Sequence, residues 1–410
     1  MRRQLKWVMP AAAALALVMS SVTLAGRSSI HRVAAAQTFT INVDGHPANA
    51  NESFLTYFPH STTVHAGDTV VFHSVGVGEP HTVTLGTLAN NAVLTYRHLT
   101  PAQQQANTPP PAMLAADAPL PELLPQGPGD ATQSAANPCY MPSGNPGTRV
   151  CPRSQFEQPV FDGTQSYYNS GWLDSGQKWS VKLSSTTSVG TYRFMCLLHR
   201  EGMAGKITVV AASKTIMSPA EQYALGVKQL AKAAAPLEGA LAALRQGQPP
   251  IPNLKLPGTN PVLAGSGAAN SDGSIDEFGL KTEKIPVGGS VTWWIIGPHS
   301  ITFNSNKTNN DIRMVAPDGT VHLNPPALAP AGGPGEPPPS NGGPTKGINF
   351  KLVASSTWNG SGFHSSGVFQ NSFGPPVIEG YKLTFTKAGT YHYICTVHDN
   401  MKGTVVVGGG

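Results

Sequence analysis

Through most of the chain, short stretches rich in Val, Thr, Phe, Tyr and Trp are separated by turns of Gly, Pro and Asn, the pattern of an all-β sandwich with antiparallel strands. The segment "GTYHYIC" at 389–395 shows the period: alternate residues share a face, so Tyr391, Tyr393 and Cys395 point one way and His392 and Ile394 the other. One stretch breaks the rule. In "SPAEQYALGVKQLAKAAAPLEGALAALRQGQPP", Ser218, Pro219 and Glu221 form a capping-box start, Gly247 and Pro249 supply a stop, and Pro236 breaks or kinks the helix between them. Its leucines are expected to pack against a domain.

The pattern occurs twice. "GTYRFMCLLHREGMAGKITVV" (190–210) matches "GTYHYICTVHDNMKGTVVV" (389–407), with one extra residue between the second His and the Met. Upstream, "AGDTVVFHSVGVGEPHTVTLG" (66–86) matches "VGGSVTWWIIGPHSITF" (287–303), and "NSGWL" (169–173) matches "SSGVF" (365–369). Three ordered matches predict two related domains, 37–212 and 268–410, joined over 213–267 by the helical segment and a Pro/Gly linker. Each carries a long insertion before its last strand pair. The first, about 88–165, and the Pro/Gly-rich second read as surface excursions unable to build a core.

Composition agrees: 12% charged residues, with 44 Gly and 37 Pro among 410, favour strands and turns over long helices. The net charge of +5 lies wholly in Arg2, Arg3, Lys6, Arg27 and Arg32, ahead of Gln37; the remainder holds 22 basic and 22 acidic residues, which argues against a nucleic-acid partner. Residues 1–36 run from basic through apolar to small. That is a secretory signal cut near "VAAAQ", or a retained anchor over 7–25 that would associate the protein with a membrane. Either way the protein is expected to be exported: periplasmic, extracellular or on the outer membrane face.

The candidate chemistry lies in the repeat. One thiolate, two imidazoles and a weak axial thioether hold copper in electron-transfer sites, because soft sulfur favours Cu(I) while imidazole also accepts Cu(II). Cys395, His398 and Met401 follow one strand, and His299 of "GPHSITF" supplies the fourth ligand; the first domain offers Cys196, His199, Met203 and His81 of "EPHTVTL". A structural zinc would more often be held by several Cys and His without Met.

With these motifs both repeats resemble the cupredoxins, the blue-copper family of plastocyanin, amicyanin and pseudoazurin, over 38–87, 165–211, 285–304 and 363–408. The resemblance implies two Greek-key β-sandwiches, one type 1 copper in each, and single electrons passed to protein redox partners through an exposed loop histidine, here His199 or His398. Two residues separate His398 from Met401, as in the short amicyanin-like loop. Three separate His199 from Met203, which leaves the axial role of Met203 the weaker of the two.

Fold relatives that are nitrite reductases or laccase-like oxidases need histidines flanking the type 1 cysteine. Here Met195, Leu197, Ile394 and Thr396 stand there, and each loop has a single cysteine where a CuA centre needs two. An electron carrier is therefore expected rather than an enzyme, with a copper-storing or adhesive surface protein as a further alternative. Cys139 and Cys151 are expected to form a disulfide within the first insertion. His60, His65, His73 and His392 are read as structural or surface residues.

Overall fold

The computed structural model describes residues 35–45, 51–76, 81–104, 108–120, 132–133, 159–249, 255–268, 271, 273–304, 313–315, 321–323, 349–369, 377–398 and 400–408. The leader and the pair Cys139 and Cys151 lie outside them. Among the described residues no helix is long and apolar enough to cross a membrane.

Two β-sandwiches repeat one strand order. In the first, a four-stranded sheet runs Tyr57–Phe58, Thr38–Val43, Thr69–Ser74, Lys178–Lys182, and faces a five-stranded sheet ordered Ser61–His65, Arg200–Val210, Gly190–Cys196, Thr84–Leu85, Tyr168–Asn169. The second has the matching five-stranded sheet, Thr282–Ile285, Lys402–Val407, Gly389–Ile394, Thr302–Phe303, His364–Ser365. Phe39, Ile41, Phe72 and Phe194 fill the first core, and Trp293, Phe303, Tyr381 and Tyr393 the second. The sandwiches are mixed rather than antiparallel throughout. Thr38–Val43 runs parallel to Thr69–Ser74, and Ser61–His65 parallel to Arg200–Val210, with the same two parallel pairs in the second domain.

The domains are not beads on a linker. The second domain's larger sheet is ordered Asn349–Trp358, Val377–Phe385, Ser290–Ile295, Pro261–Gly267, Gly273–Phe278 and finally Glu52–Phe54, a strand of the first domain. Gly273, Ser274 and Ile275 pair with Phe54, Ser53 and Glu52, so one half completes the other's sheet and covers an edge that would otherwise expose unpaired N–H and C=O groups. Pro261–Gly267, assigned above to the linker, is the strand that lines up with Thr38–Val43, so the second sandwich starts at 261. Its Pro, Gly and Ser disguise a strand buried along Val262–Ser266.

The first insertion also differs from the expectation of surface excursions. Its helix α1 (Thr87–Arg97), the short α2 (Pro101–Gln104) and α3 (Pro111–Asp117) follow directly on the strand Thr84–Leu85. Ala89, Ala92 and Val93 of α1, with Ala116 of α3 and Leu120, form a small core against Met195 and Leu197. Those two residues flank a candidate ligand, so part of the insertion braces the site.

Between the domains, α4 (Pro219–Ala234) carries the capping box, with Ser218 and Glu221 satisfying each other's backbone N–H, and Pro236 separates it from α5 (Leu237–Arg245). The α4 residue Gln222 accepts from Thr63 N–H at 2.9 Å and donates to Thr63 C=O at 2.7 Å, closing the first domain's edge strand. The leucines of α5 pack as expected: Leu237, Leu241 and Leu244 meet Phe54 and Phe58 of the first domain and Leu263, Ile275 and Trp294 of the second in one apolar cluster. Arg245 grips Glu277 with two hydrogen bonds of 2.9 and 2.6 Å.

Candidate metal centres

Each sandwich brings one cysteine and two histidines together at one end. In the second domain the Gly389–Ile394 strand delivers Cys395 into the core beside Tyr393, as its parity requires, while His392 is exposed and bonds Thr404 Oγ1 at 3.0 Å. Cys395 N–H then donates to Met401 C=O, and Met401 N–H to His398 C=O, both at 3.0 Å, closing the loop that turns His398 back onto the sulfur. His299 arrives from the turn after Ser290–Ile295. Its Nδ1 lies 3.0 Å from His398 Nδ1, and Cys395 Sγ lies 3.8 and 3.6 Å from those two nitrogens.

The first domain repeats the triangle. His81 Nδ1 and His199 Nδ1 are 3.2 Å apart, and Cys196 Sγ lies 4.0 and 3.6 Å from them. In both triangles the point equidistant from the three atoms is about 2 Å from each, the length of a bond from imidazole nitrogen to a transition metal and close to that from thiolate sulfur. The donor sets therefore fit a single metal ion, and their one soft thiolate with two imidazoles suits copper.

The sulfurs are prepared as anions. Burial pushes the Cys395 thiol up, but hydrogen bonds and charge from His299 and His398 outweigh it and bring it down to about 5. Against the same opposing burial, the charge and hydrogen bonds of His199 and His81 hold Cys196 well below its ordinary range. Ser300 N–H and Val397 N–H point at Cys395 Sγ at 3.4 Å, and Thr82 N–H at Cys196 Sγ at 3.3 Å. A hydroxyl latches each loop: Thr82 Oγ1 accepts from Leu197 N–H at 2.8 Å, and Ser300 Oγ from Thr396 N–H at 2.9 Å. Thr82 and Ser300, each one residue past the upstream histidine, went unnoticed in the sequence although the "PHT" and "PHS" pairing could have flagged them.

Both methionines are fully buried in the core cluster that holds their cysteine. Met195 pairs with Ala204 as Ile394 pairs with Lys402, so Met203 and Met401 hold equivalent register, and the extra residue of the first loop lies where the pairing shifts register between Met195 and Cys196. The expectation of an exposed loop histidine fits only one domain. His199 is half-buried, whereas His398 is 2% exposed. Three histidines that the sequence set aside stand apart from both trios: His60 bonds Thr56 Oγ1, His65 bonds Lys214 C=O, and His73 lies in the Thr69–Ser74 strand.

Two aspartates complete the sites, and sequence reading missed both. Asp44 Oδ2 lies 3.3 Å from His81 Nε2. Burial pushes Asp44 up; it also pushes His81 down, but the hydrogen bonds with Asp44 and Cys196 outweigh it and lift His81 to about 9. In the second domain Asp276 Oδ1 lies 4.0 Å from His299 Nε2 and 3.7 Å from His398 Nε2. The position matching Asp44 is Gly265, and both have positive φ, 64° and 78°. A Cβ at Gly265 would stand 2.2 Å from His299 Nε2, so the acid comes from the neighbouring strand instead.

No family model and no curated protein matches the chain. Solved structures do. Auracyanin from Roseiflexus castenholzii is 16% identical, with 42% of this chain and 97% of that one covered at a TM-score of 0.21. A purple cupredoxin from Nitrosopumilus maritimus is 11% identical over 42% and 99%, with a TM-score of 0.17. The azurin Az-iso2 from Methylomonas sp. strain J is 16% identical over 43% and 100%, with a TM-score of 0.22. By its own strand order and its two His–Cys–His groups, the chain is a tandem of β-sandwiches, each with one such group at one end.

Proposed function

We propose that this is an exported blue-copper protein that carries single electrons between protein redox partners, with one type 1 copper in each domain. The observation that carries the reading is the duplicated triangle of one thiolate and two imidazole nitrogens, each accompanied by a buried methionine in equivalent register. His81, Cys196 and His199, with Met203 as the axial group, would hold one ion; His299, Cys395 and His398, with Met401, the other. Bound copper supplies a one-electron couple. The chain keeps the donors in place, excludes water with the two cores, and directs backbone N–H groups at the sulfurs, which tunes the potential.

The difference in burial assigns directions. His199 supports contact with an external partner at the first domain, while His398 is sealed beneath the second. The residues flanking the cysteines, Met195, Leu197, Ile394 and Thr396, favour the carrier over an oxidase or nitrite reductase.

Adding Cu(II) to the purified chain, with visible and EPR spectra and metal counted per molecule, is expected to give intense thiolate-to-copper absorption at two ions per chain. A colourless protein without bound metal overturns the reading. Substantial oxygen or nitrite reduction by the loaded protein alone would show the enzyme instead.

A further inference from the structure

One dipeptide touches the supports of both metal sites. Ser53 and Phe54 lie on the strand by which the first domain enters the second domain's sheet. Phe54 N–H donates to Asp44, the carboxylate on His81 Nε2. One residue earlier, the Ser53 hydroxyl donates to Asp276 Oδ2, while Asp276 Oδ1 accepts from Ser274 Oγ at 3.2 Å and faces His299 and His398. Asp44 and Ser53 are fully buried and Asp276 is 1% exposed, so water does not compete for these bonds.

A carboxylate on the outer nitrogen of a metal-binding imidazole fixes the ring's orientation and tautomer and raises its basicity; losing it typically costs about 10–100-fold in metal affinity. Resting on the copper reading above, we propose that Ser53–Phe54 positions two carboxylates, Asp44 hydrogen-bonded to His81 Nε2 and Asp276 facing the outer nitrogens of His299 and His398 at ion-pair distance, so that the first domain sets the metal affinity of the second domain's site. Asp44, Asp276 and Ser53 are positioning residues: they act through the imidazoles. The second domain depends on this cross-domain hydroxyl because its own equivalent of Asp44 is Gly265, where a side chain would strike His299.

The test is a Cu(II) titration against a competing chelator, read on the thiolate-to-copper absorption in the full chain carrying Cys196→Ser, so that only the second site reports. Asp276→Asn is expected to weaken binding about 10–100-fold and Ser53→Ala by about tenfold, whereas Ser53→Thr, which keeps the hydroxyl, binds within about twofold of its parent. The same variants in a Cys395→Ser chain show the first site. Losses confined to the second site support the proposal, because general loosening of the fold would weaken both. Unchanged affinity in Ser53→Ala and Asp276→Asn, or equal losses at the two sites, overturns it. A parent chain that takes up no coloured copper refutes the copper reading itself, a separate result from a parent that binds with variants that bind equally well.

Discussion

At the scale of single residues, the chemistry rests on a thiolate made available inside an apolar core. An isolated buried thiol would keep its proton, and the two imidazole contacts reverse that preference. Replacing Cys395 with Ser therefore removes the soft donor while nearly preserving volume. In the copper-loaded protein it is expected to abolish about half of the thiolate-to-copper absorption, leaving the first domain's band in place; an unchanged visible spectrum would show that Cys395 is not a ligand. The two trios that the fold brings together were legible in the sequence because Cys and His are chemically distinctive and recur in the same order in both repeats. Asp44 and Asp276 were not legible. They occupy non-equivalent positions in the two halves, so the repeat hides them, and only pairing in space brings them to imidazole nitrogens.

At the scale of elements, the readable ones had strong local signals: the capping box of α4, the break at Pro236, and the Val-, Tyr- and Trp-rich strands. Two others were not read as strands, for physical reasons. Pro261–Gly267 has the composition of a linker, yet a parallel neighbour, Ser290–Ile295, and the core behind it make it a strand. Glu52–Phe54 is three residues long, and its partners lie more than 200 positions away, beyond any local pattern. The element that glues the halves is α5, where Leu244 is fully buried between the two sandwiches. Leu244→Ala is expected to destabilise the protein by about 2–5 kcal/mol, measured by chemical denaturation, since the cluster cannot readily collapse onto the lost volume.

At the scale of the whole molecule, the junction between domains is acidic as well as apolar. Burial pushes the Glu52 carboxyl up, helped by the charges of Asp276, Glu238 and Glu277 and offset by Arg245, from its ordinary 4.5 to about 7. The folded state thus holds a proton that the unfolded chain releases at lower pH. The resulting stabilisation is complete below about 4.5, declines as pH rises, and is gone above about 7. Glu201, raised to about 7 chiefly by burial and then by Asp117, adds to the same slope. Glu52→Gln, neutral at every pH, is expected to flatten the fall of the denaturation midpoint between pH 5 and 8. A midpoint profile identical to that of the parent would remove Glu52 from this account.

The open backbone at Gly265 means that the halves are not interchangeable cassettes. Carrying the first repeat's aspartate into the second as Gly265→Asp would put a side chain where that pocket has room only for hydrogen, driving the imidazole of His299 off its seat. Whatever duplication produced the pair, the second copy has become a lodger that takes its acid from a neighbouring strand and the clasp on that acid from its sibling.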